Sequence, residues 1–363
     1  MSTNRSKKNR NNFFMSLALK QAMINLGNTS ENPSVGCVIT KNNSIISLGH
    51  TSLNGRPHAE YNALMSSKEN LINSNLYVTL EPCSHYAKTP PCVKKIIKKK
   101  IKKVFFSIKD PDIRSYNNSS KIFKKKNVNV NIGILSSKIK DFYKNYILFK
   151  EKKLPFVTCK IAASKDFYTI NKRKKWITNK HSRGRVHLMR SQHDSIITSS
   201  STIIKDNPLL NCRIKGLEKR SPVIIILDNH LKISLNSNVI KNNTIIFYNK
   251  QNKKKIKLLK KNGVKAYKST LNENGDLNLK EVLTKVRNLG FNRIFLESGI
   301  KLAENFLKEN LIHDLKIYIS NNKLKKYGSG SISRYFKTFL KNKKYIVENV
   351  NLFGDKLISY KIK

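Results

Sequence analysis

Residues 57–92 read PHAEYNALMSSKENLINSNLYVTLEPCSHYAKTPPC and carry three side chains of the types that bind zinc. They are His58, Cys83 and Cys92, so the segment offers one imidazole and two thiolates. A catalytic zinc usually has three protein ligands and keeps its fourth tetrahedral position open for water or substrate. The stretch therefore predicts a catalytic zinc site with His58, Cys83 and Cys92 as ligands.

Glu60 lies two residues after the histidine and is the acid/base candidate of this site. Zinc nucleobase deaminases share the pattern His-x-Glu followed by Pro-Cys-x-x-Cys, in which the glutamate moves protons and is not a ligand. This chain departs from the pattern because eight residues, not two, separate Cys83 from Cys92. Buried cysteines often serve only packing, but these residue types in this order favour zinc-dependent deamination.

The chain has 363 residues, which predicts two domains because a single hydrophobic core rarely extends over so many residues. A polar segment from Lys150 to Pro155 is followed by an apolar, strand-like run. We therefore expect a boundary near residue 150, with domains at 1–149 and 150–363.

Lysine and arginine number 72 against 22 aspartates and glutamates, which gives a formal net charge of +50. Such a charge is typical of proteins that bind nucleic acids or anionic surfaces. Here lysine, asparagine and isoleucine are abundant along the whole chain, which indicates compositional bias and not a dedicated binding face. We therefore expect no nucleic-acid partner, although the charge attracts phosphorylated small substrates.

The five cysteines show no spacing typical of a disulfide framework, which favours a reducing, cytoplasmic environment. The apolar residues that follow Phe13 recur at helical spacing and are interrupted by Lys20, so they do not predict a signal peptide. No run approaches about eighteen apolar residues, and we expect no membrane span.

The first half of the chain alternates helical and strand patterns, which predicts an α/β domain. Helical periodicity runs from Phe14 to Leu26, a turn leads into a strand at 32–39, and further strands are predicted at 44–49, 76–80, 103–107 and 128–130. Cys37 lies within an apolar strand and is interpreted as a core residue.

His58 and Cys92 each begin a predicted helix, and the positive end of a helix dipole favours a thiolate. Two nearby residues have two interpretations each. Glu81 either supports the metal ligands or makes local hydrogen bonds, and His85 either contacts a substrate phosphate or makes local hydrogen bonds.

The segments TLEPC at Thr79–Cys83 and SHYAKTPP at Ser84–Pro91 closely resemble one half of a known enzyme family. The family is the bifunctional deaminase/reductase of riboflavin biosynthesis, and the resemblance is to its deaminase half. It implies a cytidine-deaminase-like fold for the first domain and a phosphoribosylated pyrimidine as substrate. It also implies that the turn NPSVG lies beside the substrate base, which makes Asn32 a substrate contact.

The second half predicts strands at 156–164, 194–199, 222–228, 244–248, 263–267, 293–296 and 314–319. Amphipathic helical stretches lie between many of them, which predicts a mostly parallel sheet covered on both faces. Ligands of such sheets bind at the carboxyl ends of the strands. The first strand is not followed by Gly-x-Gly-x-x-Gly, but Gly299 stands between a strand and a helix, where main-chain N–H groups can hold a phosphate.

Short motifs of the second half occur in the order found in the reductase half of the same family. They are KIAAS with Asp166, WIT at 176–178, RSQ with Asp194, the run TSS at 198–200 continued to Leu210, and Glu297-x-Gly299. The resemblance implies a dihydrofolate-reductase-like fold and NADPH as cofactor. It implies cofactor contacts at Ala162, Trp176, Thr202, Asp206 and Gly299, and substrate contacts at Arg190, Leu210, Arg213 and Glu297.

Arginine suits a phosphate contact because its guanidinium donates two parallel hydrogen bonds. Trp176 and Leu210 have the alternative interpretation of core residues. The segment Lys172–Lys175 replaces a Gly/Ser-rich turn of the family. A substrate contact that relatives make there with serine is therefore not expected at Lys174.

These resemblances imply a cytoplasmic enzyme with two activities. The first is zinc-dependent deamination of 2,5-diamino-6-(5-phosphoribosylamino)pyrimidin-4(3H)-one, and the second is NADPH reduction of 5-amino-6-(5-phosphoribosylamino)uracil. Two alternatives are a nucleic-acid or nucleotide deaminase, and a deaminase with a decayed second domain. The sequence does not decide between a monomer and a homo-oligomer.

Overall fold

The computed structural model describes residues 2–87, 89–151, 153–332 and 334–363, and helices and strands alternate along most of them. The chain divides into two units, Met1–Lys153 and Leu154–Lys363. The predicted division at 1–149 and 150–363 lies a few residues from this boundary. In the described ranges no helix has both the length and the apolar character needed to span a bilayer.

The first unit is built on one five-stranded sheet. Its helices are α1 (Ser2–Met23), α2 (Ala59–Ser66), α3 (Cys92–Lys98), α4 (Asn118–Lys125), α5 (Ser136–Phe142) and α6 (Lys144–Lys150). Its strands are β1 (Gly36–Lys41), β2 (Ser44–His50), β3 (Asn75–Leu80), β4 (Lys103–Ile108) and β5 (Asn129–Ile132), in the order β2-β1-β3-β4-β5. β3, β4 and β5 are parallel, so their carboxyl ends meet at one edge.

Gly36 allows α1 to pack closely against β1. A Cβ atom at this position would lie 1.9 Å from the carbonyl oxygen of Ala18 and 2.5 Å from the nitrogen of Ala22, so a larger residue would push the helix away. Cys37 is fully buried in the same core, as predicted. α1 begins at Ser2, well before the predicted start at Phe14, because the polar residues ahead of Phe14 continue the helix without adding apolar periodicity.

The second unit is built on a nine-stranded sheet with the order β11-β10-β9-β8-β12-β6-β13-β16-β15. Its strands are β6 (Phe156–Ala163), β7 (Tyr168–Asn171), β8 (Ser195–Ser199), β9 (Val223–Leu227), β10 (Thr244–Tyr248), β11 (Lys265–Lys268), β12 (Arg293–Glu297), β13 (Asp314–Ile319), β14 (Gly328–Ser331), β15 (Tyr345–Val347) and β16 (Lys356–Lys361). Its helices are α7 (Lys180–Ser191), α8 (Ser200–Asp206), α9 (Lys253–Lys261), α10 (Leu279–Asn288), α11 (Ile300–Lys308) and α12 (Arg334–Lys341). β7 and β14 form a separate two-stranded ribbon.

The prediction of a mostly parallel, doubly covered sheet is confirmed. The seven neighbouring strands β11, β10, β9, β8, β12, β6 and β13 are parallel to one another. Strands β16 and β15 extend the sheet beyond β13 in antiparallel orientation. Ile294 and Leu296 of β12 pack in one core cluster and Phe295 packs in another, as expected when successive strand residues point to opposite faces. The sequence did not predict β7, β14, β15 or β16, and β11 begins two residues later than predicted.

Candidate active sites

Three elements of the first unit bring His58, Cys83 and Cys92 together. His58 is the N-cap residue of α2, Cys83 follows the end of β3, and Cys92 is the first residue of α3. Their ligand atoms all lie within 4.8 Å of one another. The Nδ1 atom of His58 is 3.6 Å from Cys83 Sγ and 3.5 Å from Cys92 Sγ.

These separations fit a tetrahedral zinc ion. With Zn–S near 2.3 Å and Zn–N of about 2.0–2.1 Å, the tetrahedral angle separates nitrogen and sulfur by about 3.5 Å. The imidazole ligand atom would then be Nδ1, because this nitrogen faces the two sulfur atoms. One imidazole and two thiolates are also a donor set that zinc favours.

The surroundings of Cys83 favour its thiolate form. The pKa of Cys83 is lowered to about 4, chiefly by a hydrogen bond from the Cys92 thiol and also by His58. Burial acts in the opposite direction and raises this pKa, but its effect is smaller. The main-chain N–H of Cys92, at the start of α3, also donates to Cys83 Sγ at 3.2 Å. A thiolate is the form of cysteine that binds a metal.

Glu60 lies in the first turn of α2 and is only 3% exposed. Burial, followed by the nearby Cys83 sulfur, raises the pKa of its carboxyl to about 7. A group with a pKa near neutrality can both accept and donate a proton at physiological pH. Glu60, His58 and Cys83 line one cavity, referred to below as the first-unit cavity.

Asn32 lines the first-unit cavity as well. Its turn is fixed by the Thr29 hydroxyl, which donates to the Asn32 carbonyl oxygen at 2.7 Å, and by the Tyr143 hydroxyl, which donates to the Ser34 carbonyl oxygen at 3.0 Å. A larger groove of about 840 Å³ lies between α1 and residues 132–138, but none of the predicted site residues lines it.

Glu81 makes local hydrogen bonds, in agreement with one of the two roles considered for it, the other being support of the metal ligands. Its carboxylate accepts from three main-chain N–H groups of residues 110–119 at 3.0–3.2 Å and therefore fixes the loop that follows β4. The Nδ1 atom of His85 lies 2.9 Å from Ser115 Oγ, and the ring lines the first-unit cavity. A phosphate contact by His85 stays a prediction.

Sequence reasoning missed eight polar residues of the cavity wall: Thr51, Arg56, Thr89, Asp110, Asp112, Arg114, Tyr146 and Lys150. The run Asp110-Pro111-Asp112 was interpreted only as a turn. One signal for the aspartates was present, because β3 and β4 are parallel neighbours and the residues that follow them lie at the same edge. No sequence signal pointed to Tyr146 and Lys150, because their position depends on how α6 packs.

An ion cluster in the second unit joins Glu297, Arg190 and Lys160. The Nε and Nη2 atoms of Arg190 each donate to one Glu297 oxygen at 3.0 Å, and Lys160 Nζ lies 3.5 Å from Glu297 Oε1. Lys160 and Glu297 are opposite each other in the pairing of β6 with β12. Lys160 was not predicted as a site residue, although it begins the KIAAS motif.

This cluster keeps Glu297 ionised. Burial raises the pKa of its carboxyl, but the charges of Arg190 and Lys160 and their hydrogen bonds outweigh burial and lower the pKa to about 2. Arg190 is 9% exposed and also donates from Nη1 to the carbonyl oxygen of Asn211 at 3.0 Å. The predicted phosphate contact of Arg190 would therefore use only its remaining N–H groups.

Three further predicted residues differ in exposure. Trp176 is 52% exposed beside the Arg183 guanidinium, so its interpretation as a core residue is wrong. Leu210 is 3% exposed within a core cluster, which agrees with the packing interpretation, so a substrate contact would have to use its main chain. Arg213 is exposed, and its Nη1 donates to Asn211 Oδ1 at 3.0 Å.

Three of the four remaining predicted cofactor contacts lie at the ends of β6, β8 and β12, which are adjacent parallel strands. Ala162 is near the end of β6, Thr202 is in the first turn of α8, and Gly299 is the N-cap residue of α11. The sheet therefore brings these three residues to one edge. Asp206 is exposed at the last residue of α8, four residues after Thr202 and therefore about 6 Å further along the helix at 1.5 Å per residue.

Comparison with protein families gives one match to each half of the chain. Residues 8–108 match the family described as "Cytidine and deoxycytidylate deaminase zinc-binding region", and residues 155–321 match "RibD C-terminal domain". The predicted fold class, a cytidine-deaminase-like domain followed by a dihydrofolate-reductase-like domain, is confirmed. Zinc and NADPH are confirmed as the cofactors.

Curated relatives match over most of the chain. The riboflavin biosynthesis protein RibD of Aquifex aeolicus is 33% identical over 312 residues, which cover 85% of this chain and 86% of the relative. RibD of Bacillus amyloliquefaciens is 32% identical over 315 residues, covering 85% and 84%.

Solved structures agree with these matches. Acinetobacter baumannii RibD (form 1) has a TM-score of 0.84 at 26% identity and covers 98% of this chain and 99% of that chain. The Thermotoga maritima deaminase/reductase has a TM-score of 0.82 at 29% identity with the same coverage. Similarity across both units favours the two-domain deaminase/reductase over the two alternatives, a nucleic-acid or nucleotide deaminase and a deaminase with a decayed second domain. The chain belongs to the RibD family of bifunctional riboflavin biosynthesis proteins.

Proposed function

We propose that residues 1–149 deaminate 2,5-diamino-6-(5-phosphoribosylamino)pyrimidin-4(3H)-one and that residues 150–363 reduce 5-amino-6-(5-phosphoribosylamino)uracil to the ribitylamino product. The observation that carries the proposal is the group His58, Cys83 and Cys92, whose ligand atoms lie within 4.8 Å, beside the buried carboxyl of Glu60. The Thermotoga maritima structure is described as a diaminohydroxyphosphoribosylaminopyrimidine deaminase/5-amino-6-(5-phosphoribosylamino)uracil reductase, which supports these substrates.

In the deaminase, bound zinc supplies the Lewis acidity that activates water at neutral pH. His58, Cys83 and Cys92 would hold the ion and leave one position open. Glu60 would take a proton from the attacking water and donate it to the nitrogen that leaves as ammonia. Its pKa of about 7 suits both transfers. Asn32 would orient the pyrimidine from the turn that lines the same cavity.

In the reductase, NADPH supplies the hydride. The chain's own contribution is to orient the sugar phosphate and to exclude water. Glu297 is ionised and therefore only accepts hydrogen bonds, so it would accept one from a hydroxyl group of the ribosyl chain. Arg213 and the N–H groups of Arg190 that remain would donate to the substrate phosphate.

A coupled assay that follows ammonia and NADPH separately tests the proposal. The purified chain with zinc and the diaminopyrimidine phosphate should release one ammonia and oxidise one NADPH for each substrate molecule consumed. Ammonia release without NADPH oxidation would reject the reductase assignment. NADPH oxidation without prior deamination would reject the proposed order of the two reactions. The absence of any reaction would reject the proposed substrate.

The double substitution Cys83→Ser with Cys92→Ser is expected to remove the bound zinc, about one ion per chain, and to reduce ammonia release by at least a hundredfold. Two of three ligands are lost, and serine is a much poorer zinc ligand than a thiolate. Elemental analysis of chelator-free protein measures the metal. Cys212→Ala, a buried cysteine of the second unit, is the control and should keep the zinc. Zinc retained by the double variant would show that the ligands are misassigned.

Gly299→Ala is expected to raise the KM for NADPH by about 2- to 12-fold, the range for one lost hydrogen bond, without loss of stability. Gly299 has an ordinary φ of −64°. Apart from the adjacent residues of the chain, a Cβ there would meet no protein atom within 4 Å, so the methyl group would extend into the open space at the start of α11 where a ligand phosphate would bind. Gly184→Ala, equally open and on α7, is the control. An unchanged KM would remove Gly299 from the cofactor site.

We infer a cytoplasmic location, which is supported by five cysteines that are all unpaired. A homo-oligomer is compatible with the proposed function. Light scattering by the purified chain would measure its mass against the 41.8 kDa of one copy.

A further inference from the structure

Helix α6, the last helix of the first unit, forms part of the wall of the first-unit cavity. The hydroxyl of Tyr146 donates to Asp110 Oδ1 at 3.0 Å, and the ammonium of Lys150 donates to Asp112 Oδ2 at 2.9 Å. All four residues line the cavity together with Glu60. They lie beyond residues 8–108, the part of the chain that matches the deaminase family.

Asp110 presents an unused acceptor to this cavity. The residue is 6% exposed. Its Oδ1 atom accepts two hydrogen bonds, one from the Tyr146 hydroxyl and one from the Asp112 N–H, each at 3.0 Å. Within the described ranges no group donates to Oδ2. Because Asp110 lines the cavity, Oδ2 is left for a molecule bound there.

Tyr146 influences both the orientation and the charge of Asp110. The terminal torsion of an aspartate has broad minima, so two hydrogen bonds to one oxygen decide where the other oxygen points. Burial raises the pKa of Asp110 to about 6, and the hydrogen bonds from Asp112 and Tyr146 oppose this rise. The Tyr146 hydroxyl therefore favours a fixed, ionised carboxylate at neutral pH.

We propose that Tyr146 is a positioning residue of the deaminase, which holds the Asp110 carboxylate so that Oδ2 accepts a hydrogen bond from an N–H group of the pyrimidine. The inference rests on the proposed function, since the diaminopyrimidine substrate carries several N–H donors. An ionised acceptor in a buried site binds such a donor more strongly than a neutral one. The pair of Lys150 and Asp112 fixes the same loop at the end of α6.

Tyr146→Phe is expected to raise the KM for deamination about tenfold, with kcat changed by less than about threefold, because the lost hydroxyl serves substrate binding and not proton transfer. Tyr77→Phe is the matched control. Tyr77 is equally buried, its hydroxyl donates to Asn11 Oδ1 at 2.8 Å, and its ring stacks on Phe105, but it does not line the cavity. The control should leave KM unchanged.

A double-mutant cycle separates positioning from a general loss of stability. In an Asp110→Ala background, Tyr146→Phe should have no further effect on KM, because no carboxylate remains to be held. An equal effect in both backgrounds, or no effect in either, would overturn the inference. If Tyr146→Phe does not fold, Asp110→Asn takes its place: it presents an N–H₂ group where the substrate needs an acceptor, and an unchanged KM would overturn the inference.

Failure of the proposed function gives a different result. If the wild-type chain released no ammonia from the diaminopyrimidine phosphate, the deaminase assignment would fall and the role of Tyr146 with it. Normal wild-type kinetics together with a normal KM for Tyr146→Phe would reject the role of Tyr146 alone.

Discussion

Replacement of Glu60 by glutamine is expected to reduce ammonia release by about a hundredfold or more, while the chain keeps its zinc. Glutamine preserves the size of the side chain but cannot exchange protons near neutral pH. Glu60 is buried, has a pKa of about 7, and does not belong to the group of His58, Cys83 and Cys92 that fits the metal. Ammonia assays and elemental analysis of the same preparation measure the two outcomes.

Glu69→Gln serves as the control, because Glu69 is exposed in the same unit and is expected to leave both measurements unchanged. Glu60→Gln should also leave NADPH-dependent reduction of pre-deaminated substrate near the wild-type rate. Loss of zinc from the Glu60 variant would show that the carboxylate is a ligand or supports one. Ammonia release near the wild-type rate would exclude Glu60 from proton transfer.

Arg190→Ala is expected to have the largest effect in the second unit, on stability as well as on activity. The substitution leaves the Glu297 carboxylate, whose side chain is only 17% exposed, with Lys160 as its nearest cation, 3.5 Å away. Removal of one partner from a buried ion pair typically costs about 3–5 kcal/mol. We also expect a fall of about 10- to 150-fold in reductase kcat/KM, the range for one lost charge-assisted hydrogen bond. Ammonia release should not change.

The pH dependence of stability tests this pair independently. The pKa of Glu297 is lowered from 4.5 to about 2 in the folded chain. Its ionisation therefore contributes stability, about 3 kcal/mol, that is present above pH 4.5 and is lost as the pH falls toward 2. Without Arg190 the folded pKa rises, so acid unfolding of the second unit should begin at a higher pH.

Urea unfolding of Arg190→Ala at pH 7 and pH 4 measures both effects. Arg213→Ala is the control for stability, since Arg213 is exposed and surface substitutions usually change the free energy of unfolding by less than about 0.5 kcal/mol. Equal unfolding free energies for the two variants would show that the ion pair contributes nothing. Impaired deamination in a folded Arg190 variant would instead point to a shared site.

The zinc ligands could be predicted from the sequence because they occur at the ends of helices and strands with a clear hydrophobic pattern. His58 and Cys92 lie at helix starts and Cys83 follows a buried strand, so the motif and the secondary structure agree on where the ligands meet. The part of the cavity wall formed by α6 could not be predicted from the sequence. Tyr146 and Lys150 reach the cavity only because α6 packs against the loop after β4, and no spacing in the chain encodes that packing.

In the second unit, the resemblance assigned Arg190 and Glu297 to the substrate but did not show that they bind each other. That contact joins α7 to the end of β12 and depends on tertiary packing. Strands β10 and β13, which contain several buried apolar residues each, were predicted at their observed bounds. The short strand β15 was not, because all three of its residues are exposed and show no alternation of burial.

Strand β6 is the first strand of the second unit that the ribosome produces, yet it lies inside the finished sheet between β12 and β13. Its partners begin only at Arg293 and Asp314. At about 5–20 residues per second, on the order of ten seconds pass before either neighbour leaves the ribosome. During this time β6, six of whose eight residues are apolar, has both edges unpaired, and unpaired apolar strand edges promote aggregation. We therefore expect the second unit to be prone to aggregation during translation until β12 and β13 have been synthesised.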